Sequence, residues 1–180
     1  MSGVTVPELC PVSRDDANGT LADRLGARIH QLFGRSLHIR HLDAGSCNGC
    51  DWEIQALLGP VYDIQRLGID VVASPRHADL LLTTGSVTRH LEPAVRATYE
   101  AMPEPRLVVA VGACACGGGV LQGSYCSAGG LHNVLPVDVY IPGCPPRPQA
   151  LLHGLMIAMG RLEPRLQQAR ISASRPAGDR

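Results

Sequence analysis

The sequence predicts an α/β protein built on a doubly wound parallel sheet. Five short runs rich in Leu, Val and Ile alternate with longer segments of helical spacing, and several runs are almost continuously apolar. Strands that are covered on both faces have this pattern, and strands that alternate with helices form parallel sheets with right-handed crossovers. Aromatic residues make up only 3% of the chain, so aliphatic side chains must fill the core between the layers.

An amphipathic helix is predicted first. Apolar side chains recur at helical spacing from Leu21 to Phe33, with Thr20 as the N-cap and Gly34 as the end of the helix. The predicted strands are Leu37 to Leu42, Asp70 to Ala73, Asp79 to Thr84, Leu107 to Val111 and Val137 to Ile141. The helical segments between and after them are Asp51 to Leu58, Val87 to Ala101 and Pro145 to Arg161.

Both ends of the chain are more polar than the middle. Residues 1–18 contain two prolines and are predicted to be a flexible or partner-bound arm. Residues 19–162 are predicted to form the folded α/β domain, and residues 163–180 a polar tail.

Composition excludes several classes of protein. The formal net charge is zero and all 16 basic residues are Arg, with no basic stripe that would neutralise phosphates, so nucleic acid is not an expected partner. The chain has seven cysteines and no signal-like start, which indicates a reducing compartment where thiols act as ligands or nucleophiles. No apolar run approaches about 18 residues, so attachment to a membrane must go through partners or a surface helix.

Four cysteines stand out by their position. Cys47, Cys50, Cys114 and Cys144 lie in Gly- and Pro-rich stretches that follow predicted strands and are predicted to be loops. Because ligands bind at the carboxyl ends of parallel strands, these segments are expected at one edge of the sheet. Glycines there allow the backbone to approach closely and to point N–H groups at an anionic ligand. The sequence therefore predicts four thiols gathered at one site.

Three interpretations of these thiols remain open on spacing alone. A tetrahedral site with four thiolates suits zinc or an iron-sulfur cluster. Structural zinc usually takes two close cysteine pairs, whereas only Cys47 and Cys50 are close here. Single cysteines at several strand ends favour a cluster, which is larger and spans more backbone. The third interpretation is that the thiols are buried without a ligand.

Four motifs carry a resemblance to a known family. They are SCNGCDWE at Ser46 to Glu53, TGSVT at Thr84 to Thr88, GACACGGG at Gly112 to Gly119 and VYIPGCPPRP at Val139 to Pro148. In this order they resemble the small subunit of membrane-associated, energy-converting (group 4) NiFe hydrogenases, which include formate hydrogenlyase. They are also similar to the B-type subunit of respiratory complex I. Coverage runs from about residue 37 to residue 162.

One difference between the two relatives is visible in the sequence. The complex I subunit has two adjacent cysteines, whereas Asn48 and Gly49 separate Cys47 from Cys50 here, as in the hydrogenases. The resemblance implies a flavodoxin-like fold in which Cys47, Cys50, Cys114 and Cys144 ligate one 4Fe-4S cluster. The cluster would be the one proximal to the nickel-iron centre of a separate large subunit.

The implied function is that of an oxidoreductase subunit that relays electrons between this NiFe centre and ferredoxin-like subunits. The hydrogen chemistry itself would lie in the large subunit. Membrane subunits of the complex would hold the chain at the cytoplasmic, inner face of the cell membrane. Two alternatives stay open, namely a B-type subunit of a quinone-reducing, complex I-like enzyme and a zinc-stabilised, non-redox binding module.

Other polar residues near the motifs have less definite roles. Glu53 lies one turn after Cys50, and the resemblance implies a possible proton relay, against a solvated or Arg-paired carboxylate. Asp51 is predicted to favour the helix N-terminus electrostatically. Two further cysteines, Cys116 and Cys126, are expected to be ordinary thiols, and Cys10 has no partner pattern. Arg147 is expected beside the cluster or at the partner surface, and His41 and His132 are expected to be hydrogen-bonded residues rather than ligands.

Overall fold

The computed structural model describes residues 16–174, with side chains described for residues 21–168. Most of the predicted arm, including Cys10, lies outside the described residues, as does the last part of the predicted tail. The division of the chain into arm, domain and tail therefore stays a prediction.

The centre of the fold is one sheet of five strands. They are β1 (Leu37–Asp43), β2 (Ile69–Val71), β3 (Leu80–Thr84), β4 (Leu107–Val111) and β5 (Val139–Ile141). All neighbours pair in parallel, in the order β2-β1-β3-β4-β5. This is the strand order of flavodoxin-like doubly wound sheets, with the switch point between β1 and β3. The predicted fold class is confirmed.

Within residues 16–174, five α-helices connect and flank the strands. They are α1 (Asp16–Phe33), α2 (Gly49–Leu58), α3 (Glu92–Glu100), α4 (Gly112–Gly117) and α5 (Pro148–Ser174). Helices α1, α2 and α5 pack on one face of the sheet, and α3 and α4 pack on the other. None of the helices within residues 16–174 is long and apolar enough to cross a membrane.

The central strands supply both halves of the core. In β3, Leu80 and Leu82 contribute to the cluster under α1, α2 and α5, while Leu81 contributes to the cluster under α3 and α4. In β4, Val109 belongs to the first cluster and Val108 to the second. Each of these side chains is almost fully buried, and burial of one such side chain stabilises the fold by about 1.5–3 kcal/mol. This two-sided burial explains why the strands are continuous apolar runs.

The predicted starts of α1 and α3 were wrong. Helix α1 begins at Asp16 rather than at Thr20. Helix α3 begins at Glu92 rather than at Val87, because the preceding residues hydrogen-bond to the Ser124–Gly129 loop.

Helix α5 differs from its prediction at both ends. It begins at Pro148 and not at Pro145, and a proline in the first turn costs the helix no backbone hydrogen bond. It continues through Pro164 to Ser174 instead of ending at Arg161. Beyond Arg161, Leu162 is fully buried and Glu163 pairs with Arg28 of α1, so packing on α1 supports the extension.

Candidate functional site

The structure brings the four predicted cysteines together at the carboxyl edge of the sheet. Cys47 follows β1, Cys50 lies in the first turn of α2, Cys114 lies in α4 directly after β4, and Cys144 follows β5. All four line one cavity of about 100 Å³ and are free thiols. Cys47 and Cys144 are exposed, whereas Cys50 and Cys114 are half-buried. No charged side chain lines this cavity.

Two glycines leave room for the sulfur atoms. Gly112 has a φ of +85°, and a Cβ there would lie 2.5 Å from the Sγ of Cys50. Gly119 has a φ of +54°, and a Cβ there would lie 2.7 Å from the Sγ of Cys114. Real Cβ atoms essentially never approach so closely, and the backbone conformation itself favours glycine. The glycines of this motif thus make space for two of the four thiols.

The turn before Cys47 is hydrogen-bonded to Asp43, the last residue of β1. The carboxylate of Asp43 accepts hydrogen bonds from the backbone N–H groups of Gly45 (2.8 Å) and Ser46 (2.6 Å). Gly85 packs directly against this turn, since a Cβ on Gly85 would lie 2.4 Å from the nitrogen of Ser46. These contacts restrict the backbone conformation of the turn before Cys47.

Asp51 connects α2 to two strands. Its Oδ1 accepts a hydrogen bond from the hydroxyl of Thr84 (2.8 Å) and lies 2.9 Å from the Nε2 of His41. Its Oδ2 accepts a hydrogen bond from the hydroxyl of Ser46. The predicted role of Asp51 at the helix N-terminus was incomplete, because no local pattern in the sequence shows that β1 and β3 bring His41 and Thr84 to it.

A backbone hydrogen bond connects the segments that carry Cys114 and Cys144. The N–H group of Ala113 donates a hydrogen bond to the carbonyl of Gly143 (2.7 Å). Helix α4 ends where the N–H group of Gly118 donates to the carbonyl of Cys114 (2.7 Å). The stretch from Gly112 was expected to be a loop, and the structure instead forms one short helix there.

Burial and neighbouring charges raise the pKa of two of the thiols. Burial, followed by the charge of Asp51 and of the three neighbouring cysteines, raises the pKa of Cys50 to about 12. Burial, followed by the nearby Cys144 and Cys47, also raises the pKa of Cys114. A metal that binds thiolates must displace these protons.

The remaining predicted residues do not line the cavity. Glu53 is half-buried on α2, and its side chain makes no hydrogen bond or ion pair with the part of the chain that the structure describes. The Sγ of Cys116 points to the carbonyl of Ala110 at 3.7 Å, and burial raises its pKa to about 11. Cys126 is exposed, 3.0 Å from the hydroxyl of Ser124.

Two other predicted positions are also outside the cavity. His132 and Arg147 are both exposed and do not line it. His41 is hydrogen-bonded, as described for Asp51.

The fold and the site define a class of protein: a doubly wound α/β subunit that presents four free thiols at the carboxyl edge of its sheet. The family model described as NADH ubiquinone oxidoreductase, 20 Kd subunit, matches residues 47–158, and the chain belongs to this family. The match begins at Cys47 and contains all four thiols of the cavity.

Curated relatives come from hydrogenases and from NADH-quinone oxidoreductases. The chain is 49% identical over 148 residues to the probable membrane-bound hydrogenase subunit mbhJ of Pyrococcus furiosus, which covers 81% of this chain and 89% of that protein. It is 50% identical over 141 residues to formate hydrogenlyase subunit 7 of Escherichia coli, covering 78% of this chain and 55% of that protein. It is 52% identical over 107 residues to the B-type subunit of NADH-quinone oxidoreductase from a Geobacter species, covering 59% and 62%.

The chain thus spans between about half and nine-tenths of the length of these relatives. All three are subunits of oxidoreductase complexes, and the chain is an oxidoreductase subunit of this kind.

Solved structures agree on the fold. A chain of the membrane-bound sulfane sulfur reductase, an archaeal respiratory membrane complex, is similar with a TM-score of 0.64 and 37% identity, over 79% of this chain and 76% of that chain. A chain of the NAD+-reducing NiFe-hydrogenase in the H2-reduced state is similar with a TM-score of 0.56 and 21% identity, over 71% of this chain and 93% of that chain. The second similarity concerns the fold alone.

Proposed function

We propose that the chain is the electron-transfer small subunit of an energy-converting NiFe hydrogenase complex and holds one 4Fe-4S cluster through Cys47, Cys50, Cys114 and Cys144. The observation that carries this proposal is the single cavity lined by these four thiols, which come from three separate segments of the chain, after β1, β4 and β5. The hydrogenase relatives match 81% and 78% of this chain, whereas the complex I relative matches 59%, and this difference supports the hydrogenase branch.

The arrangement of the thiols fits a cluster better than a single zinc ion. Among the residues with described side chains, no group of three or more His, Cys, Asp or Glu is placed to hold one metal ion. The four thiols nevertheless surround one cavity, so they border a space instead of meeting at one point. A 4Fe-4S cluster takes one thiolate at each of four irons and needs this wider spacing. The zinc-stabilised module is therefore the weaker alternative.

The chain's own residues would bind, orient and shield the group. When bound, the cluster supplies one-electron transfer. Gly112 and Gly119 leave space at Cys50 and Cys114, and the exposed Cys47 and Cys144 form the open side of the site. An open side toward a partner shortens the path of an electron that leaves the chain. We propose that Glu53, half-buried on α2, serves a proton relay beside this path.

Large apolar side chains that are exposed to water support the proposal that other subunits bind this chain. Trp52 is 74% exposed, one residue after Asp51, and Val120 is 96% exposed, one residue after Gly119. Tryptophan is enriched in the contact surfaces between protein chains, so Trp52 is a candidate contact residue. We propose that the partners are the NiFe large subunit, a ferredoxin-like iron-sulfur subunit and membrane subunits. These would hold the chain at the inner, cytoplasmic face of the membrane.

A second candidate function has its own support. The similarity to the archaeal sulfane sulfur reductase and to the NADH-quinone oxidoreductase relative favours a B-type subunit in a related complex without nickel. The electron-transfer role of the chain would be the same. Nickel in the co-purified partner separates the two candidates, because it is expected only for the hydrogenase.

The experiment that tests the ligands replaces each of the four cysteines by Ser in the intact complex, purified anaerobically through this chain. Iron and acid-labile sulfide per copy of the chain, with electron paramagnetic resonance after reduction, are measured beside Cys126→Ser as the matched control. Each of the four substitutions should remove or alter the cluster and the control should not. A normal cluster after any of the four would contradict the assignment, and zinc in place of iron would support the binding module.

A further inference from the structure

A polar group of four side chains lies beside Cys50 and on the inner side of α2. It consists of His41, Ser46, Asp51 and Thr84, with Asp51 in contact with the other three. His41 lies on β1, Thr84 is the last residue of β3, and Ser46 lies in the turn before Cys47. The backbone N–H of Asn48 also donates to the hydroxyl of Ser46 (3.1 Å). Asp51 thus ties the segment that carries Cys47 and Cys50 to the ends of two central strands.

The charge of Asp51 is only partly shielded by water. Its side chain is 18% exposed, and its described partners are two hydroxyls and one imidazole, with no Arg among them. An electron added close to a fixed negative charge meets electrostatic repulsion, which is stronger where water is excluded.

We propose that Asp51 is a positioning residue for Cys47 and Cys50, and that its carboxylate also lowers the reduction potential of the cluster that these cysteines hold. This inference rests on the proposed function, because it presupposes the cluster. Position and charge are separable, since an amide has nearly the same shape as a carboxylate. In Asp51→Asn, the amide oxygen can still accept from Thr84 and His41, and the amide nitrogen can donate to the hydroxyl of Ser46.

The test compares Asp51→Asn and Asp51→Ala in the intact complex, purified anaerobically. Iron per copy of the chain is measured first, and the midpoint potential of the cluster is then measured by a redox titration followed by electron paramagnetic resonance. The Asn variant should keep its iron and show a more positive midpoint potential than the unsubstituted chain. The Ala variant, which lacks all three contacts, should lose iron or give an altered resonance spectrum.

Asp79→Asn is the matched control. Asp79 directly precedes β3, so it stands at the opposite end of the strand that ends at Thr84, and its side chain is 12% exposed and paired with Arg35. This substitution removes a carboxylate of similar burial far from the cysteines and should leave iron content and potential unchanged.

The possible outcomes are distinct. If the midpoint potential of Asp51→Asn equals that of the Asp79→Asn control, the proposed role of the charge is overturned. If Asp51→Ala keeps normal iron content and a normal resonance spectrum, the proposed positioning role is overturned. Loss of iron from the Asn variant would also overturn the separation of charge from position. If the unsubstituted chain carries no iron, the proposed function fails instead, and the two failures cannot be confused.

Discussion

Replacement of Gly112 by Ala should damage the site while leaving the fold nearly intact. The new Cβ would lie 2.5 Å from the Sγ of Cys50, whereas nonbonded heavy atoms pack at about 3.5–4.0 Å, so the sulfur must move by about 1 Å. Ligand positions in metal sites tolerate deviations of about 0.2 Å. The other two neighbours, the carbonyl of Gly143 at 3.6 Å and the Cδ of Pro146 at 3.9 Å, are at ordinary contact distance.

The backbone cost of this substitution can be measured separately. Gly112 has a φ of +85°, and an L-residue in the left-handed region costs about 1–2 kcal/mol. Gly123 has a φ of +78° and no atom within 4 Å of a built Cβ, so Gly123→Ala has the same backbone cost without the contact to Cys50. The two variants should therefore lose similar stability, while Gly112→Ala alone loses cluster.

The assay is iron and sulfide content of the anaerobically purified complex, together with its thermal stability. A change of about 1 kcal/mol corresponds to a shift of about 2–4 °C for a protein of this size. Normal iron and a normal resonance spectrum in Gly112→Ala would refute the steric argument. Equal loss of iron from both variants would show instead that backbone strain, and not the Cβ at Cys50, disturbs the site.

Two further outcomes are expected. Gly154→Ala places a Cβ 2.2 Å from the Cδ1 of Ile141 and should destabilise the packing of α5 on β5 by about 1–3 kcal/mol. Gly160→Ala meets no atom within 4 Å and should stabilise the same helix by up to about 1 kcal/mol. Equal melting temperatures of the two variants would contradict this prediction. Glu53→Gln should lower hydrogen turnover about tenfold or more without changing iron content, if the carboxylate carries protons, and unchanged turnover would leave Glu53 a surface residue.

The sheet was largely predictable because its strands are buried on both faces. Leu107–Val111 is a run of five buried apolar residues, and the observed strand matches the prediction residue for residue. Gathering of the four thiols at one edge was also predictable, since parallel strands all end on the same side. The glycines beside Cys114 were correctly expected to permit close approach, which the structure shows at Gly119.

Features that depend on contacts between distant segments were not predictable. Helix α4 has the sequence GACACG, in which two glycines and two cysteines, all weak helix formers, offset the two alanines, so its conformation comes largely from its surroundings. The extension of α5 past Pro164 relies on packing against α1. The partners of Asp51 are likewise fixed by the pairing of β1 with β3, which brings together residues more than 30 positions apart in sequence.

Placement of two cysteines after β1 and of one after each of β4 and β5 affects the order in which the site can form. In an unfolded chain only Cys47 and Cys50 are neighbours, and the other two thiols come within reach only when the sheet has formed across its width. The four thiols would therefore hold the proposed cluster together only in the folded domain. Because a group that binds only the folded state stabilises that state, a bound cluster would also raise the free energy of unfolding of the sheet.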